Sequence, residues 1–398
     1  MQPHEVSAYR RIYRNELFDS VIPFWLNHSI DREHGGYFSC LERNGTVFDT
    51  DKFAWMQGRE IWMFAKLCSA YGTRPEWLAA AKAGVDFMRQ HGRAPNGDFY
   101  FALDRRGNPL TAPYNIFSDC FMCVALAEYA RVSGDSQAAQ EAQDIYHRIQ
   151  QRKDNPKGIW TKAIAGTRSM GAMGFPMIQM MMARELRGLI DEETILRIVR
   201  ENLALFFDRH VDRERKCVFE RVPMGGGRNF DNMEGRLLNP GHALEILWFI
   251  MDIAHTMLND QAMVEDLADI MLWCIERGWD KQYGGIFYYQ DYLGYPTEKL
   301  ESTMKLWWVH NEAIIAMLLA TRLTGSALHE DWFKRLHAYS FEHFSDRAGG
   351  GEWYGYLDRR GEPVFGLKGG KWKGFFHLPR MLMVCEQLLA QMEAEAVQ

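Results

Sequence analysis

A cluster of glycine and aromatic residues recurs along this chain, and its period restricts the fold more than any other feature. It begins as Gly35-Gly36-Tyr37-Phe38 and returns as Gly97-Asp98-Phe99-Tyr100-Phe101 and as Gly158-Ile159-Trp160. The fourth copy, Cys217-Val218-Phe219-Glu220, lacks the glycine. The last two are Gly284-Gly285-Ile286-Phe287-Tyr288-Tyr289 and Gly350-Gly351-Glu352-Trp353-Tyr354-Gly355-Tyr356. Measured between Tyr37, Phe99, Trp160, Phe219, Phe287 and Trp353, the spacings are 62, 61, 59, 68 and 66. Turns follow several copies, at Arg43-Asn44-Gly45, Arg105-Arg106-Gly107 and Arg359-Arg360-Gly361. Strand-forming aromatics followed by a glycine turn predict short hairpins.

Pairs of helical patterns fill the intervals. Apolar periodicity predicts helices at 4–28, 53–71, 75–91, 115–133, 136–152, 170–189, 192–209, 240–258, 261–278, 303–324, 328–344 and 377–394. Gly72, Gly134, Gly188 and Gly325 stand where helices should stop. A fixed period of one hairpin and two helices is a repeat architecture. Six such units close a ring with one helix of each pair inside. The expected fold is therefore all-α, an (α/α)6 barrel in a single domain over 1–398, with short β-hairpins at one end. An open helical solenoid is the alternative.

Composition excludes several functional classes. A net charge of −6, spread along the chain, leaves no nucleic-acid footprint. No apolar run approaches the ~18 residues a membrane span needs. Met1 to Arg14 is polar, without the apolar core of a signal peptide. Seven cysteines, an odd number, do not make a disulfide framework and fit reduced thiols in a cytoplasmic protein. Cys120-Phe121-Met122-Cys123 has no second pair for zinc and reads as core packing.

The unusual polar residues gather at the starts of the presumptive inner helices. In Leu238-Asn239-Pro240-Gly241-His242, Asn239 is an N-cap and Pro240 occupies the first helical position. His242 and Glu245, three apart, are neighbours off the packing stripe of Leu244, Leu247, Trp248 and Met251. Taken alone, this is equally a buried histidine hydrogen-bonded to a glutamate. Other inner starts carry Arg59, Asp119, Trp308 with Glu312, and Trp372 with His377. Parallel inner helices bring these starts to one mouth of the barrel, where convergent polar groups define a binding cavity. His310, two residues from Trp308, points away and is structural. Trp307 and Trp308 are expected to face opposite ways, with Trp308 toward the cavity.

Three long motifs resemble the N-acylglucosamine 2-epimerase (renin-binding protein) family. They are Asn239-Pro240-Gly241-His242-x-x-Glu245, Lys305-Leu306-Trp307-Trp308-Val309-His310-x-Glu312, and Gly369-Gly370-Lys371-Trp372-Lys373-Gly374-Phe375-Phe376-His377-x-Pro379-Arg380. The segments Pro113 to Phe121 and Arg152 to Gly158 look like the same family, and the resemblance runs from about Leu17 to Cys385. It implies an (α/α)6 barrel, a homodimer and interconversion of N-acetylglucosamine with N-acetylmannosamine. It implies no cofactor for the chemistry, and ATP as an activator that is not consumed. Cellobiose 2-epimerases and aldose–ketose isomerases of the wider superfamily carry a further histidine near residue 173. Here that stretch is Met170-Gly171-Ala172-Met173-Gly174-Phe175-Pro176.

Inverting C2 of an open-chain sugar means removing a proton beside the C1 carbonyl and returning it to the other face. His242 and His377 are the expected proton carriers, since imidazole has a pKa of ~6.5. Arg59 is expected to stabilise charge on O1. Trp308 and Trp372 offer flat faces to the sugar, Asp119 is a further substrate-binding candidate, and Glu245 and Glu312 orient the histidines or bind hydroxyls. Arg59 paired with Glu60 is the structural alternative. A basic loop, Lys153, Lys157, Lys162 and Arg168, is the candidate site for the activating nucleotide, though the residues alone read as a solvated loop. Gly225-Gly226-Gly227 lacks the Lys-Ser/Thr of a phosphate loop and reads as a turn. Two other classes are open: a carbohydrate-binding or interaction protein without catalysis, and a glycoside hydrolase using Glu245 and Glu312.

Overall fold

The computed structural model describes residues 1–155, 157, 164, 167–346 and 348–396. The third glycine–aromatic copy, Gly158-Ile159-Trp160, and Lys162 lie outside the described residues. The chain enters as α1 (Pro3–Asn15), which continues through a π-helical stretch, Glu16–Val21, into α2 (Ile22–His28). The helices that follow are α3 (Ala54–Tyr71), α4 (Pro75–His91), α5 (Phe117–Ser133), α6 (Ser136–Gln151), α7 (Gly174–Glu185) and α8 (Glu192–Leu205). The remainder are α9 (Pro240–Ile253), α10 (Gln261–Gly278), α11 (Trp307–Thr324), α12 (Ala327–His343) and α13 (His377–Glu395).

The helices form two concentric rings. The inner helices α3, α5, α7, α9, α11 and α13 pack side by side in chain order. They are apolar on nearly all sides: in α11 every residue from Trp307 to Thr321 is buried. Outer helices bury one stripe, as α12 does with His329, Phe333, Leu336, Tyr339 and Ser340. Each outer helix packs on the inner helix that precedes it, except that α1 packs on α13. The first outer helix thus serves the last inner one, and the ring closes. Tyr71 at the end of α3 also donates to Glu386 of α13 at 2.9 Å. The fold is an (α/α)6 barrel, not the open solenoid.

The hairpin layer lies at the end where the inner helices begin. Lys52–Phe53, Leu237–Leu238 and Lys305–Leu306 directly precede α3, α9 and α11, and pair with Ala102–Leu103, Gln290–Asp291 and Tyr356–Leu357. The fourth glycine–aromatic copy is a hairpin strand, Cys217–Val218 pairing with Val211–Asp212, and the sixth ends in the paired residue Tyr356. The first, second, fifth and sixth copies each make one isolated bridge back to the end of an outer helix: Ile30 with Tyr37, Arg93 with Phe99, Trp279 with Ile286 and Ser345 with Trp353. The paired glycines supply the reversal, with φ of +73° and +72° at Gly284 and Gly285. Met170–Ala172, expected as the start of α7, is instead a strand paired with Arg221–Pro223, so α7 begins at Gly174.

Neighbouring repeats are fastened by acidic clasps. Asp31 takes Lys52 at 2.9 Å and Arg105 at 3.0 Å. Asp280 takes Lys305 at 3.1 Å and Arg359 at 2.9 Å. Asp346 takes Lys368 at 2.9 Å and Arg43 at 2.6 Å. The arginines are the ones that open the turns after the glycine–aromatic copies. Arg43 of the first repeat reaches Asp346 of the last and joins the two ends of the ring. Cys120 and Cys123 are buried in α5, as core residues. His310 is also internal: Nδ1 donates to the Leu306 carbonyl at 2.8 Å and Nε2 accepts from the Ile286 amide at 2.9 Å. Gly225 to Gly227 form an exposed turn.

Candidate active site

The inner ring encloses a cavity of about 660 Å³ that opens at the hairpin end, a volume suited to a small molecule. Arg59, His242, Glu245, Trp308, Trp372 and His377 line it. Six of the eight residues singled out for catalysis or substrate binding therefore meet there. Trp307 also lines the cavity, so both tryptophans of the pair contribute, against the expectation for Trp307.

The histidines are held by helix starts. Asn239 caps α9, its Oδ1 accepting from the His242 amide at 3.1 Å. His377 is the first residue of α13. Both imidazoles face the indole of Trp308, at 5.1 Å for His242 and 5.7 Å for His377 between ring centres. Each has a carboxylate behind Nδ1. Glu312 Oε1 is 2.7 Å from His377 Nδ1, and Glu220 Oε2 is 3.0 Å from His242 Nδ1. A carboxylate at Nδ1 holds the proton there and leaves Nε2 for the cavity.

Their proton affinities diverge. Burial, then the charges of Arg59 and Arg380, pull the His377 pKa well below the usual histidine value. Burial also opposes charge on His242, but Glu220 and, further off, Glu245 outweigh it and raise the pKa. The two shifts favour the neutral form of His377 and the protonated form of His242 relative to an ordinary histidine. Opposed shifts in a facing pair separate base from acid.

The two glutamates make different contacts. Glu245 does not bond its helical neighbour His242; it accepts from Arg380 at 2.6 Å. Glu312 lies one layer behind the cavity and accepts from Trp248 Nε1 at 2.9 Å and from Arg380 at 2.6 Å, besides His377. Ligand atoms of Glu245, Glu312 and His377 fall within 4.8 Å of one another, and the Arg380 guanidinium supplies the positive charge between the two carboxylates. Arg380 was legible as the residue three after His377 in one motif. Glu220 had a subtler signal: it closes the one glycine–aromatic copy that departs from the pattern.

Arg59 is not paired with Glu60, which accepts from Ser29. Its guanidinium sits over Phe121 at 4.3 Å, Trp55 at 4.4 Å and Phe376 at 4.7 Å. It makes no hydrogen bond or ion pair among the described residues, and burial lowers its pKa to about 9, which leaves it charged at neutral pH. An unpaired guanidinium in an aromatic cage is free to receive an anionic oxygen. Trp372 stands at the mouth, 53 % exposed, edge-on to Trp55 at 5.2 Å.

Asp119 does not reach the cavity. It faces outward from α5 to Arg152 at 3.4 Å, and burial raises its pKa to about 6. Ser118 and Phe121 present α5 to the cavity instead. In the basic loop, Lys153 lies 3.6 Å from Glu201 and Arg168 lies 3.5 Å from Glu234, while Lys157 is exposed. None of these three lines the cavity.

The (α/α)6 ring holds two carboxylate-backed histidines in its cavity, and the family it matches makes the protein an isomerase of the sugar 2-epimerase class. The family model described as N-acylglucosamine 2-epimerase matches residues 36–380, and the chain belongs to that family. It is 37% identical over 378 residues to N-acylglucosamine 2-epimerase of Bos taurus, covering 93% of this chain and 89% of the relative. It is 34% identical over 394 residues to that of Homo sapiens, covering 96% and 91%. Among solved structures, cellobiose 2-epimerase from Bacillus thermoamylovorans B4167 shares the fold with a TM-score of 0.81 at 22% identity, covering 96% of this chain and 99% of that one. Among the described residues, no helix is long and apolar enough to cross a membrane.

Proposed function

We propose that this protein interconverts N-acetylglucosamine and N-acetylmannosamine by moving the C2 proton of the open-chain sugar between two histidines. One observation carries the reading: His377 and His242 face the same Trp308 ring, each backed by a carboxylate, with proton affinities shifted in opposite directions. A substrate whose C2 hydrogen faces His377 loses it to the free Nε2. The charge that develops on O1 is met by the Arg59 guanidinium. His242 then delivers its proton to the other face of C2. The reverse reaction exchanges the roles. Trp308, in contact with both imidazoles, closes the space between the two bases at one edge of the trigonal intermediate.

A hydrolase acting through Glu245 and Glu312 is disfavoured, because Arg380 binds both carboxylates and Glu312 lies behind the cavity wall. The test is proton NMR of N-acetylmannosamine with the protein in heavy water. Conversion with deuterium entering at C2 is expected; absence of turnover, with or without ATP, rejects the reading. For ATP, the proposed site is the loop bearing Lys153, Lys157 and Arg168, which leads toward α7. A non-hydrolysable analogue is then expected to activate as well as ATP, and joint replacement of Lys153 and Lys157 to weaken that activation.

A further inference from the structure

Given the epimerase reading above, the ring order says which wall meets the substituent on C2. α9 and α13 carry the histidines and flank α11, whose Trp308 touches both. In a ring of six, α5 is then opposite α11, with α7 beside it. When C2 loses its proton it becomes trigonal, so C1, C3 and the substituent atom on C2 share one plane with it. The histidines must stand on either side of that plane. On the α11 side the Trp308 indole fills the space, packed so closely that a Cβ on Gly241 would come within 2.8 Å of it. Within that plane the direction away from Trp308 leads to α5 and α7, and the chemistry of that wall decides which group on C2 it suits.

That wall is unlike the rest of the cavity. Phe117 and Phe121 of α5 and Met177, Ile178 and Met181 of α7 present only carbon and sulfur. Arg59, His242, Glu245 and His377 come from α3, α9 and α13, Lys299 and Glu301 from the segment before α11, and Tyr114 from the segment before α5. Gly174, the first residue of α7, makes a recess: a Cβ there would meet only Phe117 Cζ, at 3.7 Å. At the edge stands Ser118, whose hydroxyl has no hydrogen-bond partner among the described residues. A sugar hydroxyl aimed at this wall would lose its hydration with little in return. An amide with a short carbon tail suits both the unpaired hydroxyl and the apolar recess.

We propose that Gly174, Met177, Ile178 and Met181 form, with the α5 phenylalanines, an acyl pocket that receives the carbon chain of an N-acyl group on C2, and that the recess at Gly174 admits chains longer than acetyl. Ser118 bonds the amide. The methionines, unbranched and flexible, reshape to the chain.

Calorimetric binding of mannose and of N-acetyl-, N-propanoyl- and N-butanoylmannosamine tests this, with turnover followed in parallel by NMR. For the wild type, the first added methylene should tighten binding roughly fourfold. Gly174→Leu fills the recess; it should reverse that order, weaken the butanoyl sugar at least about tenfold, and affect mannose, which has no acyl chain, least of the four. Met177→Ala widens the pocket and should move the preference to longer chains, a second readout should the leucine variant fail to fold. The same chain-length dependence in wild type and both variants overturns the pocket. Chain-length-dependent binding without epimerisation keeps the pocket and removes the proposed activity. A wild type that binds none of the N-acyl sugars removes both.

Discussion

Glu312 places Oε1 2.7 Å from Nδ1 of His377, and neither side chain has appreciable solvent access, Glu312 being wholly buried. The contact fixes the tautomer that leaves Nε2 free to take a proton, while burial, and then the neighbouring cations Arg59 and Arg380, lower the ring's pKa. Glu312→Gln is expected to lower kcat by about a hundredfold with a smaller change in KM, since it disturbs the base rather than the sugar contacts. Initial rates across substrate concentration give the split; an unchanged kcat would deny Glu312 this role.

The pH profile follows from the two shifts. His377 has a lowered pKa, so its base form is present above that value and is lost as pH falls through it. His242 has a raised pKa, so its acid form is present below that value and is lost as pH rises through it. The rate of conversion begun at His377 should trace a bell whose limbs lie on either side of the ordinary ~6.5. Glu220→Gln should draw the alkaline limb downward and leave the acid limb in place.

Replacing either histidine by asparagine should abolish epimerisation, a loss of at least about a hundredfold. If His377 and His242 serve opposite faces, each variant still exchanges the C2 hydrogen of one epimer with heavy water, and a different one in each case. A variant that washes out the hydrogen of both epimers at the wild-type rate would refute the division of labour.

The clasp at Asp346 holds the first and last repeats together, with a fully buried Lys368 on one side and Arg43 on the other. Asp346→Asn leaves the lysine without its buried counter-ion and should destabilise the fold by about 3–5 kcal/mol, read from urea unfolding. A loss below about 1 kcal/mol would show that the ring does not depend on this closure.

Acid should open the same joints. Their cations hold the Asp31 and Asp346 carboxyls well below the ordinary range, and Lys305 and Arg359 hold Asp280 at about 2 against the cost of its burial. A lowered folded-state pKa gives stability that is complete above the unfolded value of ~3.9 and is lost as pH falls through the folded value. Tm should therefore be level near neutrality and fall steeply below about pH 4. Asp280→Asn should flatten that fall.

The sequence by itself determined the scaffold. The helix boundaries, the repeat and the turn arginines follow from local signals such as the Asn239-Pro240 start of α9 and Gly325 after α11, which act over a few residues. Six repeats allowed a ring or an open solenoid, the packing of α1 on α13 closed it, and closure gathers the helix starts that carry His242, Trp308 and His377. Tertiary structure decided the partners. Glu245 and His242 are neighbours on a helix, yet Arg380, delivered from α13, claims the glutamate, and Glu220, from the bend before Arg221–Pro223, claims the histidine. Asp119 is one residue from Ser118, and that step of about 100° around α5 turns it from the cavity to Arg152. Helical periodicity tells which residues share a face. Which neighbour that face meets, and hence which carboxylate backs which base, is settled only when helices distant in the chain are packed together.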